Sequence, residues 1–148
     1  MAKFIFKMEN ILEVKRKLED QAKSVYATAL AALEEEQRKL QQLEEKKEGY
    51  KARLTEMMVA TLQVDQIKNL EDAVEVMKYR IQEQKIHVQD AQIKAERARQ
   101  ALHAAVVERK TYEKLKEKAF EEFKEEINAQ EKKEVDELVS YKFSIPAE

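Results

Sequence analysis

Apolar side chains recur along this chain at steps that alternate between three and four residues. One series runs Met8, Ile11, Lys15, Leu18, Ala22, Val25, Ala29, Leu33, Glu36, Leu40, Leu43, Lys47, Tyr50, Leu54, Met57, Thr61 and Val64. Only Lys15, Glu36, Lys47 and Thr61 interrupt it with polar groups. A second runs Ile67, Leu70, Val74, Met77, Ile81, Gln84, Val88, Ala91, Ala95, Ala98, Leu102, Ala105, Arg109 and Tyr112, broken by Gln84 and Arg109. This rhythm puts one apolar stripe along one side of an α-helix, the seam of a coiled coil. The doubled step of four at Val25, Ala29 and Leu33 reads as a stutter, which locally unwinds a left-handed supercoil. Past Tyr112 the register loosens through Leu115, Ala119, Phe123 and Ile127.

Composition excludes most alternatives. The 148 residues include one Gly, one Pro and no Cys, where average usage would give about ten Gly and seven Pro. Turns consume these residues, so sandwiches, barrels and α/β folds are ruled out and an all-α fold is expected. Charged residues make up 39% of the chain, which can signal disorder, but the periodicity argues for helix. Without Cys there is no disulfide frame, thiolate zinc site or thiol nucleophile. The net charge of −2 gives no reason to expect nucleic acid as a partner. No apolar run is long enough to span a membrane, and the N-terminus lacks a secretion-signal layout. A cytoplasmic protein with no membrane span is expected.

Three features favour a chain that folds back on itself over one continuous helix. The stretch Met57–Val64 carries no charge and collects Val59, Thr61 and Val64, which are weaker helix formers. Asp65 then supplies an N-cap or a first-turn carboxylate. Alanines mirror about this break, with Ala22, Ala27, Ala29, Ala31 and Ala32 on one side and Ala91, Ala95, Ala98, Ala101, Ala104 and Ala105 on the other. Aromatics mirror too, which places Phe4 and Phe6 beside Phe120 and Phe123. The expected fold is a two-helix antiparallel coiled-coil hairpin, a long rod whose C-terminal helix is the longer. Helix one is expected over about 5–60, a turn over about 61–65, helix two over about 66–139 and a frayed tail over 140–148, all in a single coiled-coil domain, 1–148. In this pairing Tyr50 meets Met77, Leu54 meets Val74 and Ala29 meets Ala98. Helix two outruns its partner past residue 122.

Chemistry-bearing clusters are sparse. His87 and His103 are the only histidines, sit on outward faces and read as solvated, so neither a metal pair nor a general base is expected. Paired carboxylates such as Glu121 and Glu122 have no concave pocket to raise a pKa on a two-helix rod. No catalytic residue, cofactor or metal is expected, and the chain does not read as an enzyme. The lone Gly49 lies inside helix one. It is either tolerated there or marks a close approach by a partner beside Tyr50. The Phe4, Phe6, Phe120 and Phe123 group seals the open end. The overhang, with Ile127, Val135 and Leu138, is an amphipathic helix suited to a groove or a pore.

Two end stretches carry a family resemblance. The opening Phe4-Ile5-Phe6-Lys7-Met8-Glu9-Asn10-Ile11-Leu12-Glu13-Val14-Lys15 resembles the start of the FliJ family of flagellar export proteins. The stretches Glu108-Arg109-Lys110, Glu113-Lys114-Leu115 and Gln130-Glu131-Lys132-Lys133-Glu134-Val135-Asp136-Glu137 resemble its close. The resemblance implies a soluble component of the flagellar type III export apparatus, similar in fold to the coiled coil of a rotary ATPase gamma stalk. It implies service in flagellum biogenesis, and so in motility and chemotaxis. The implied partners are a hexameric flagellar export ATPase, the cytoplasmic domain of the export gate, and export substrate chaperones. The implied location is cytoplasmic, peripheral to the inner face of the cell membrane at the flagellar base. The ATPase-contact end falls on Phe4, Phe6, Phe120, Phe123 and Ile127. The family's export-gate patch falls on Leu43, Tyr50, Met77 and Gln84. The chain departs from the family pattern at Ala73, where that pattern has an aromatic, and at Arg80, where it has alanine. By periodicity alone these patch positions are seam. Three other readings fit the periodicity: a stalk protein of a virulence type III secretion system, a chaperone of exported subunits, and a parallel-dimer coiled-coil scaffold.

Overall fold

A computed structural model describes residues 2–60 and 63–144. Two helices account for nearly all of them: α1, Glu9–Ala60, and α2, Val64–Ser144. The fold is an antiparallel coiled-coil hairpin, and at 81 residues α2 outruns the 52 of α1. The direction follows from cross-helix partners. Glu9 reaches Lys116, Lys15 reaches Glu108, and Glu36 reaches Gln84.

Helix ends follow local chemistry. α1 begins at Glu9, where a start near residue 5 was expected. The Glu9 amide donates to the Phe6 carbonyl at 3.2 Å and the Leu12 amide to Met8 at 2.9 Å. The first turn therefore grows out of a bend, and residues 2–6 stay extended enough for both phenylalanines to pack. Glu9 places a carboxylate near the positive end of the helix dipole. α2 begins at Val64, because the Gln63 carbonyl accepts the Ile67 amide at 3.0 Å. Asp65 is a first-turn carboxylate. Thr61 and Leu62 of the expected turn lie outside the described residues. At the other end α2 continues to Ser144, where fraying from residue 140 was expected. Lys142 complements the dipole in the last turn, and the Ser144 hydroxyl donates to the Tyr141 carbonyl at 3.0 Å. Residues 145–148, with Pro146, lie outside the described part.

The seam of α2 uses the positions that the periodicity picks out. Val74, Met77, Ile81, Gln84, Val88, Ala95 and Ala98 are buried, and Ile67, Leu70, Ala91, Leu102, Ala105, Arg109 and Tyr112 half-buried. In α1 the expected positions hold from Ala29 to Met57. Before Ala29 only Lys15 and Ala22 hold. Leu12, Glu19 and Tyr26 turn inward, while Ile11, Leu18 and Val25 are exposed. The seam thus runs Leu12, Lys15, Glu19, Ala22, Tyr26, Ala29, Leu33 in unbroken three-four steps, and the expected stutter is absent. The reason is energetic. Counting apolar residues favoured Leu18 over Glu19, but Arg109 on α2 is a seam residue and needs a carboxylate opposite.

The chain divides into two compact units. A terminal unit joins Met1–Asp20 to Ala104–Glu148, and a middle unit holds Gln21–His103. The buried part of α2 lies wholly in the middle unit. Among the described residues of the terminal unit the buried apolar side chains are Phe6 and Leu12, the latter fully enclosed.

Candidate functional site

In the terminal unit the extended residues ahead of α1 bring Phe4 onto α2. Its ring meets Phe120 edge-on at 5.2 Å between centroids and lies 5.4 Å from Phe123. Such pairs add stabilisation beyond the area they bury. Phe6 is buried and Ile127 half-buried. The Lys124 ammonium sits 4.7 Å above the Phe120 ring, a cation–π contact. A groove of about 390 Å³ runs between Lys3–Met8 and Ala119, Glu122, Phe123 and Glu126. The structure therefore gathers Phe4, Phe120 and Phe123 as the sequence suggests. Beyond Ile127 every described residue of α2 is exposed, including Val135, Leu138, Tyr141 and Phe143.

Behind the aromatic group lies a set of ion pairs that the sequence left unseen. Arg109 donates Nε to Glu19 at 2.6 Å and Nη1 to Glu113 at 2.7 Å. Arg16 adds a longer contact to Glu113 at 3.6 Å. Lys15 donates to Glu108 at 2.7 Å, and Lys116 pairs with Glu9 at 2.8 Å. The hydrogen bonds to Glu19 and then Glu113 hold the Arg109 pKa above its ordinary value. The bond to Glu108 does the same for Lys15. The available signal was Arg109 itself, because a guanidinium in an apolar seam requires an anion across from it.

The four positions expected from the family resemblance to form a gate patch, Leu43, Tyr50, Met77 and Gln84, lie in the middle unit. Met77 and Gln84 are buried; Leu43 and Tyr50 are half-buried. Gln84 donates Nε2 to the Glu36 carbonyl at 2.9 Å and to its carboxylate at 2.5 Å. The hydrogen bond from Gln84 is the largest of the influences that lower the Glu36 pKa, with Lys39 and His87 adding to it. Ala29 and Ala98 line one groove of about 640 Å³ together with Val25, Ala32, Ala91 and His87. This brings Ala29 and Ala32 of α1 to the same groove as Ala91 and Ala98 of α2, while Ala27, Ala31, Ala101 and Ala104 are exposed. His103 is exposed. Among the described residues no group of His, Cys, Asp or Glu is arranged to hold a metal ion. Among them, too, no helix is long and apolar enough to cross a membrane.

The two helices of this coiled coil carry a phenylalanine cluster in the terminal unit and a solvent-exposed continuation of α2. The family model for the flagellar FliJ protein matches residues 4–148. The chain belongs to the FliJ family. It is also similar to the solved structure of the Chlamydia trachomatis protein CT670, described as a YscO homologue. The two share 25% identity and a TM-score of 0.65, with 94% of each chain covered. No curated protein sequence matches the chain.

Proposed function

We propose that this chain is the stalk of a flagellar type III export apparatus. Its open end enters the ring of a hexameric export ATPase, and its middle meets the cytoplasmic domain of the export gate. It also escorts substrate chaperones, and it works on the inner face of the cell membrane at the flagellar base. The observation that carries this reading is the end of α2. An amphipathic helix with Val135, Leu138 and Tyr141 exposed extends past the Phe4, Phe120 and Phe123 group in a chain of the FliJ family. Such a face is suited to a groove or pore.

The mechanism asks no bond chemistry of the chain. An asymmetric stalk inside a six-fold ring touches unlike subunits differently. It biases ATP turnover by as much as its contacts discriminate between ring conformations. Phe4, Phe6, Phe120, Phe123 and Ile127 form the ATPase-contact end in this reading. Leu43 and Tyr50 offer the accessible edges of the gate patch, over the buried Met77 and Gln84.

The test is ATP hydrolysis by a purified flagellar export ATPase. The full chain is expected to stimulate turnover, and a chain ending at Asn128 to lose that stimulation while keeping its helical signal per residue. Equal stimulation by both overturns the assignment of the ATPase-contact end. A second reading, the stalk of a virulence type III system, draws support from the likeness to the YscO homologue. Preferential stimulation of a virulence-system ATPase would select it.

A further inference from the structure

The two stretches of the terminal unit, Glu9–Glu19 and Glu108–Lys116, meet mainly through charge. Glu9 pairs with Lys116, Lys15 with Glu108, Glu19 with Arg109 and Arg16 with Glu113, at 2.8, 2.7, 2.6 and 3.6 Å. Leu12 is the enclosed apolar side chain between them. The facing stretch of α2, from Ala104 to Ala119, is nowhere more than half-buried. In the middle unit Glu35–Arg38, Glu75–Lys78 and Glu96–Arg99 instead run along a single helix, and the helices are joined by buried Val74, Met77, Ile81 and Val88.

We infer that Glu9–Glu19 and Glu108–Lys116 form a salt-sensitive clasp, which opens and recloses without loss of the middle unit's seam. Lys15–Glu108, Arg16–Glu113 and Lys116–Glu9 are partly exposed, and such pairs hold weakly and are screened by added salt, whereas the more enclosed Glu19–Arg109 pair is screened less. The screening length falls from about 30 Å at 0.01 M salt to about 3 Å at 1 M. Apolar burial has no such dependence on charge screening. The clasp is therefore the low-stability section of the hairpin, and its stability is set by ionic conditions. Released from α2, the first turns of α1 lose the packing that keeps a helix formed in water. Opening bares Leu12 and the inner face of α2 around Val106 and Tyr112. It also frees Phe4 to leave Phe120. The open end thus has two states, and a partner that competes for Arg109 or Lys15 can shift the balance between them.

Hydrogen–deuterium exchange on the full chain tests this. Between 0.01 M and 1 M sodium chloride, amides of residues 9–19 and 108–116 are expected to exchange about tenfold faster, while those of 74–98 change by less than about twofold. Equal change in both regions, or none in the clasp, overturns the inference. The Glu19→Leu, Arg109→Leu double variant supplies an independent arm. It replaces the central ion pair with apolar contact and is expected to slow exchange in the clasp and to blunt its salt response. A double variant that keeps the full salt response also overturns it.

Discussion

The middle and terminal units continue the same two helices but close the space between them by different means. In the middle unit α2 turns Val74, Met77, Ile81 and Val88 inward, and Gln84 is the buried polar exception. In the terminal unit Arg109, Glu19 and Lys15 occupy seam positions, with Leu12 enclosed among them and the Phe4 ring against Phe120 at the end. Apolar burial is non-directional and is not weakened by charge screening. Ion pairs are directional, weak where solvent reaches them, and screened. One coiled-coil geometry can therefore carry a persistent section and a labile one. The labile section is the one beside the proposed ATPase-contact end.

The largest effect that would break this comparison comes from the middle seam. Ile81→Ala is expected to destabilise the chain by about 2–4 kcal/mol in urea unfolding, because Ile81 is only 4% exposed and the cavity cannot collapse fully. Should it cost no more than a surface substitution, the middle seam is not the main support. Next comes Glu19→Leu alone, which strips Arg109 of its principal carboxylate. It is expected to lower the melting temperature, whereas adding Arg109→Leu restores or exceeds the original value. A melting temperature that falls further in the double variant would show that the pair itself stabilises.

A smaller effect sharpens the account of α1. A methyl group added at Gly49 meets nothing within 4 Å. Gly49→Ala is therefore expected to stabilise by about 1 kcal/mol, from helix propensity alone. If stability rises but partner binding is lost, Gly49 marks a close approach. The smallest expected effect is on acidification. The folded state holds the Glu36 carboxyl below its ordinary pKa, chiefly through Gln84. Its contribution is therefore complete above the unfolded carboxylate's pKa and is lost as pH falls through the folded value. Gln84→Leu should shrink the acid-induced drop in melting temperature, as read by circular dichroism. An unchanged drop would assign it to other carboxylates, such as Glu35 and Glu96, which Arg38 and Arg99 also hold low.

Particular residues show where sequence reading stops. The seam of α2 to Tyr112 is legible, since its apolar residues outnumber those on the outward faces, such as Val76, Ile86 and Ile93. Early α1 offers adjacent choices, Ile11 or Leu12 and Leu18 or Glu19. Hydrophobicity picks Ile11 and Leu18, while the structure turns Leu12 and Glu19 inward. The phenylalanine group follows from mirror symmetry about the uncharged break. The Glu19, Arg109 and Glu113 set does not, because each residue is ordinary in its own segment and only its neighbours across the seam make it specific.

The sequence by itself determined that this chain is helical, that it reverses once, and which face of α2 is buried. Those are local consequences of a three-four rhythm, scarce Gly and Pro, and one uncharged break. Only the tertiary structure decided the register of early α1 and the partner of Gln84. Both turn on whether a polar group at the seam finds its counter-group, and that depends on the helix opposite rather than on the segment itself.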